Sequence, residues 1–187
     1  PLGAAIASVE VLYREDFESD ALIPCVISSF VAYSIYMGVF GFSHLFILPD
    51  LLFTDVRELF FYLILSVLCA TVGIFYVKTL RVTRDLFNRL PLPRYWIACC
   101  GGLLLGLLAF VDTRVLGAGF GLLQQGLDGE LGLRTFLALA LLKILASSCT
   151  ISSGSSGGVF GPSLFIGGML GGAVGLLGQQ YFPDIVQ

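Results

Sequence analysis

A chain of 187 residues that is 57% hydrophobic and only 12% charged, with a mean hydropathy of +0.93, is too apolar along its whole length for a water-soluble surface. Ten Lys and Arg against thirteen Asp and Glu leave a net charge of −3, which selects no partner. With no basic face and no aromatic-basic stacking strip, nucleic acid is excluded, and the chain reads as an all-α, polytopic membrane protein without a soluble domain.

The first segment, PLGAAIASVEVLY, begins at Pro1 inside an apolar helical pattern, so the chain is expected to be part of a longer protein. It closes with Glu10 and an acidic turn over residues 14–20, which ends as a helix cap before Ala21. Residues 21–40 are the next span, and a loop through Pro49 and Asp50 follows. Residues 56–87 form one helix, apolar at first and basic toward its end, whose length implies a tilted span that leaves the bilayer. Arg89, Pro91, Pro93 and Arg94 break the pattern, residues 96–111 cross back, and residues 112–117 turn the chain. Residues 119–127 are too short and polar to span and are expected as a partial helix, while residues 134–149 are a further apolar stretch.

Short helices that stop at mid-membrane are therefore implied, with residues 147–158 as the break between two of them. In hydrocarbon, unpaired backbone groups are costly, so a broken helix is tolerated only where protein buries it or it lines an aqueous cavity. Lys78, Arg81, Arg84, Arg89 and Arg94, half of all the Lys and Arg, lie between two spans, which places that loop on the cytoplasmic side. Residues 43–55 and 112–117 then face the opposite side, and Tyr62, Tyr95 and Trp96 are interfacial anchors.

Cys25, Cys69, Cys99, Cys100 and Cys149 lie in apolar stretches without C-x-x-C spacing and read as packed thiols, so neither a metal site nor a cofactor is expected. His44, the single histidine, reads as an interfacial turn residue rather than a ligand or proton relay.

The break carries the chemistry. Cys149 to Ser153 end one helix, and Gly158-Val159-Phe160-Gly161-Pro162 begins another, with Pro162 in the first turn, where no N–H is needed. Gly157 and Gly158 remove side chains where something must approach the backbone, which leaves the Val159 and Phe160 amides free to point at it. A helix start combines unpaired N–H groups with a partial positive charge, so it can replace part of an anion's hydration shell. A Gly/Ser-rich turn is also, more often, only a loop. Downstream, Gly167/Gly171, Gly168/Gly172 and Gly171/Gly175 repeat at small-xxx-small spacing and read as helix packing, as does Gly102/Gly106. Lys143, inside an apolar run, needs a partner: it holds carbonyls at the break, adds positive potential for an anion, or snorkels to an interface. An intramembrane enzyme using Ser152, Ser153, Ser155 or Ser156 as nucleophile lacks a base, since no carboxylate lies between Glu130 and Asp184.

SSGSSGGVFGPSLFIGGMLGGAVG resembles the G-x-F-x-P region of the CLC chloride channels and chloride/proton antiporters. LLKILASSCTISSGSSGG resembles the helix leading into that motif, GGLLLGLLAF with LGAGFGLLQQGLDG resembles the preceding pair, and PLGAAIASVEVLYREDFE resembles the end of the family's first half. The resemblance covers essentially the whole chain as the central portion of a subunit, the end of one half and the start of the next. It implies a CLC-type fold that moves chloride or a similar monovalent anion through a pore within each subunit of a homodimer, in lipid and without covalent chemistry. It also implies that Val159 and Phe160 contact the anion through their amides, with Gly158 and Pro162 as geometric support. The helices of residues 1–5 and 21–40 are implied to lie near the dimer interface. The family's G-R-E-G-P and G-S-G-x-P segments do not occur here, and its late tyrosine is expected beyond Gln187. Glu10 falls at the first of two adjacent acidic positions seen in many antiporters, and Val11 falls where the family's proton-transfer glutamate would be. A valine carries no proton, so the resemblance implies a channel-like member, with the antiporter as the alternative.

Overall fold

A computed structural model of the chain describes residues 2–12, 19–42, 46–47, 56–155 and 157–182. Its described residues form helices and turns only, in two units, Pro1–Leu45 and Phe46–Gln187. In the first unit, α1 (Leu2–Leu12) packs along α2 (Ser19–Phe40). Ser19 and Asp20 already belong to α2, so the expected cap before Ala21 sits inside the helix. The polar turn before it and His44 lie outside the described residues.

The second unit holds α3 (Glu58–Asn88), α4 (Arg94–Val111), a 3-10 turn over Thr113–Val115, α5 (Phe120–Leu127), α6 (Leu133–Ser152) and α7 (Phe160–Tyr181). α3 runs unbroken because residues 58–88 contain no proline, and it stops before Pro91. Pro93, extended at φ −61° and ψ 151°, caps α4 from outside, where a missing N–H costs nothing. α5, at eight residues, is the expected partial helix. Among the described residues five helices are long and apolar enough to cross a membrane: Asp20–Phe40, Glu58–Asn88, Arg94–Val111, Leu133–Ser152 and Phe160–Tyr181.

α6 extends three residues past Cys149, which narrows the break expected over residues 147–158 to residues 153–159. The reason is local: Ser147 Oγ donates to the Lys143 carbonyl at 2.7 Å and Thr150 Oγ1 to the Ala146 carbonyl at 2.9 Å, so both hydroxyls find acceptors on their own helix. Past the end of α6 the chain turns at Gly154, whose φ of +84° an L side chain would resist. At 20 and 22 residues, α6 and α7 are each long enough to cross on their own.

α6 is the central helix of this unit, with half of its most apolar window buried, against 28% for α7 and 6% for α3 and α4. One face packs with α5 and α7 through Phe136, Leu139, Leu123, Phe165 and Met169. Another meets α3, where Ile144 joins Tyr76 and the Ser152 hydroxyl donates to the Leu80 carbonyl at 3.1 Å. The glycine stripes are used selectively. A Cβ on Gly168 would come 2.3 Å from a Leu123 methyl and one on Gly172 2.5 Å from the Phe136 ring, whereas Gly167, Gly171 and Gly175 meet nothing. On α4 the close glycine is Gly101, whose Cβ would lie 2.2 Å from Ser153 Oγ; the expected pair Gly102 and Gly106 faces open space because it lies on other sides of the helix. All five cysteines are free thiols.

Candidate functional site

Helical periodicity places Lys143, Ala146, Ser147, Thr150 and Ile151 on one face of α6, over about 12 Å of its axis. That face lines a half-open cleft of about 320 Å³, closed on other sides by Leu105 of α4, the turn residues Val115 to Gly117, and Gly157, Gly158 and Pro162 at the entry to α7. The cleft thus joins one buried ammonium, the start of one helix and a glycine backbone.

Lys143 is 3% exposed, so it does not snorkel. Its Nζ donates to the Val115 carbonyl at 2.9 Å and to the Gly117 carbonyl, and it lies 5.1 Å from the centroid of the buried Phe165 ring. The carbonyls it holds belong to the turn after α4 and not to the α6–α7 break. An ammonium has three donors, and carbonyls occupy two of them here. The turn is shaped for this contact by Gly119, whose φ is +79° and whose Cβ would lie 2.4 Å from the Phe165 ring. Only glycine lets α5 begin there while Phe165 packs beneath Lys143.

The same turn is fixed from outside the spans by Asp112, whose Oδ1 accepts from the Arg114 amide at 2.9 Å, while Arg114 Nη2 reaches Oδ2 at 2.8 Å. The guanidinium hydrogen bonds hold the Asp112 carboxyl below its ordinary pKa. A lowered folded-state pKa means that the carboxylate's contribution is fully present above the ordinary carboxylate range and fades as pH falls through the lowered value. Asp112→Asn is therefore expected to lower the unfolding temperature slightly and evenly between about pH 5 and pH 8, the difference closing only in stronger acid. Arg114 is exposed to water, which screens the pair, so the effect stays small. Thermal unfolding in detergent across pH checks this.

At the other wall, α7 starts at Phe160, and the Ser163 amide already bonds the Val159 carbonyl at 3.0 Å. Among the described residues no acceptor meets the amides of Gly158, Val159, Phe160 or Gly161, and Pro162 has none to offer. Gly158 and Pro162 line the cleft; Gly161 is half-buried in the first turn. Val159 and Phe160 are not among the cleft-lining residues, and Phe160 is 76% exposed. Glu10 and Val11 belong to the last turn of α1 in the other unit, and their side chains lie outside what is described. Of the candidate serines, Ser152 and Ser153 donate to the carbonyls of Leu80 and Thr150, the Ser153 and Ser155 oxygens lie 3.3 Å apart, and Ser156 is outside the described residues. Lys143 is the contributor that motif reasoning left open. Its signal was a lone cation in an apolar run, eleven residues before the glycine turn.

Comparison with known proteins places the chain as a whole. An uncharacterized protein of Methanocaldococcus jannaschii is 32% identical over 187 residues, all of this chain and 47% of the relative. The H(+)/Cl(−) exchange transporters ClcA of Salmonella paratyphi B and Salmonella newport are each 27% identical over 168 residues, 88% of this chain and 35% of theirs. The chain thus spans less than half the length of these relatives. The family described as voltage gated chloride channel matches residues 1–187. With every residue inside that match and five helices fit to cross a bilayer, the chain belongs to the voltage gated chloride channel family, a family of multi-pass membrane transport proteins rather than enzymes.

Proposed function

We propose that the protein containing this chain moves chloride across a membrane, with an anion held where the α6–α7 break meets the buried Lys143. The observation that carries the proposal is the single cleft shared by Lys143, Gly157, Gly158 and Pro162. Its amides, which no described acceptor meets, supply directional donors, and Lys143 supplies charge without a mobile counter-anion. An anion entering it exchanges part of its water for amides that are already oriented, so dehydration is offset without covalent chemistry.

Between coupled exchange and channel-like flow, the named relatives favour exchange, since those matched here are H(+)/Cl(−) exchange transporters. The channel reading rested on Val11, one position in one helix. In an exchanger with valine there, the proton takes another route. We also take the chain as the central portion of a longer subunit, the end of one half of a CLC membrane domain and the start of the next, in a homodimer.

Full-length protein in chloride-loaded liposomes tests both levels. Replacing the amide of Gly158, Val159 or Phe160 by an ester removes one donor and is expected to weaken anion affinity about 10- to 100-fold, because a hydrogen bond to a charged group contributes about 1.5–3 kcal/mol. Unchanged affinity in all three would place the anion elsewhere. Chloride driven down its gradient should carry protons uphill in fixed ratio; chloride flux with no proton movement would return the protein to the channel-like reading.

A further inference from the structure

The end of the second unit where α3 hands over to α4 plays no part in the cleft. Residues 78–96 carry five cations, Lys78, Arg81, Arg84, Arg89 and Arg94, and one carboxylate, Asp85. All five cations are exposed. The one ion pair among the described residues is Arg114 with Asp112, so none of the five is neutralised by a described carboxylate, Asp85 included. Five like charges within nineteen residues repel each other unless an external anion joins them.

Helix length sets the depth of this patch. The 31 residues of α3 extend about 46 Å, against about 30 Å of hydrocarbon, so its last turns emerge from the apolar layer. Lys78, the first cation, lies 20 residues after Glu58, about 30 Å along the axis. The apolar stretch before it contains no charge at all between Glu58 and Lys78. The chain re-enters at Tyr95 and Trp96, which are 71% and 54% exposed with ring centroids 6.1 Å apart, an amphipathic pair suited to the polar boundary of a bilayer. Exposed Leu86, Leu90 and Leu92 alternate with the cations and offer acyl chains a surface beside them. A water-facing patch has no use for those leucines, and a soluble phosphate has none for the aromatic pair.

We propose that the α3–α4 turn is a binding surface for anionic phospholipid headgroups, with Lys78, Arg81 and Arg84 on the phosphates and Tyr95 and Trp96 at the glycerol level. Arginine forks suit phosphate oxygens, and attraction to an anionic leaflet grows with each basic residue near its surface.

The test is native mass spectrometry of the full-length protein released from bilayers of mixed phosphatidylglycerol and phosphatidylcholine. Phosphatidylglycerol should be retained in preference. The combined variant Lys78→Gln, Arg81→Gln, Arg84→Gln should lose that retention by at least about tenfold, from the additive pull of each basic residue. Because the three side chains are exposed, its gel-filtration profile should be unchanged. The variant Arg81→Lys, Arg84→Lys, which keeps the charge, should retain the lipid. Equal retention of the two lipids, retention undiminished in the glutamine variant, or release of phosphatidylglycerol by glycerol 3-phosphate in the buffer would each overturn the proposal. So would crosslinks showing an acidic segment of the protein's own chain seated on residues 78–96.

Discussion

Lys143→Met is expected to reduce both the stability of the full-length protein and its anion flux, by separable routes. Methionine matches the length of the lysine stem, but the Phe165 ring loses the ammonium beside it and the Val115 and Gly117 carbonyls lose their donor. The buried Val115 carbonyl left unpaired costs about 1–3 kcal/mol, which a thermal unfolding curve in detergent resolves, whereas the more exposed Gly117 carbonyl loses less. The flux loss is electrostatic. A unit charge on the order of 10 Å from an anion, at an effective dielectric near 20, contributes about 1.6 kcal/mol, so affinity should fall on the order of tenfold. Lys143→Arg separates the routes: it keeps the charge and the donors but crowds the buried position, so flux should survive better than stability. If Lys143→Met lowers the unfolding temperature while affinity holds, Lys143 is a clamp for the turn and not part of the anion's field.

The helices were legible because their signals are one-dimensional. Pro91 and Pro93 cannot continue α3, the span expected over residues 56–87 differs from Glu58–Asn88 by two residues at one end and one at the other, and the eight-residue α5 declares itself by length. The break was legible in place but not in extent, because Ser147 and Thr150 look like loop residues until their hydroxyls are seen bonded to the carbonyls four residues back. Lys143 announced a need for acceptors, but those lie 26 and 28 residues away in the chain, a distance that no local pattern encodes. The glycines were legible in part, since Gly168 and Gly172 pack as expected and the other pairs do not. Small-xxx-small spacing fixes that a smooth stripe exists, while its direction depends on how the helix is rotated by its bulkiest neighbours, here Leu123 and Phe136. The cleft itself follows from packing: Gly158 and Pro162 reach it, and the side chains of Val159 and Phe160 turn away.

That rotation makes a sharp contrast between adjacent residues. Gly172→Val puts its first side-chain carbon 2.5 Å from the Phe136 ring, in contact with a side chain that is itself 3% exposed and wedged beside Leu139 and Leu123. The ring also stands 3.0 Å from where a Cβ on Gly126 would be, so α5 lies close on its other side and leaves it little room. Overpacking of this kind costs about 1–3 kcal/mol, and α7 must otherwise move away from α6, opening the helix pair that forms the cleft. In Gly171→Val, one residue earlier, the added Cβ meets nothing within 4 Å among the described residues, and in a membrane helix a β-branched residue adds lipid contact at little expense. The two variants should therefore differ by at least about 1 kcal/mol in stability, measured side by side in detergent. Adding Phe136→Leu to Gly172→Val should restore most of the loss, because the smaller side chain vacates the volume that the new one requires. If the double variant is no more stable than Gly172→Val alone, the two residues do not pack against each other as described, and the rotation assigned to α7 is wrong.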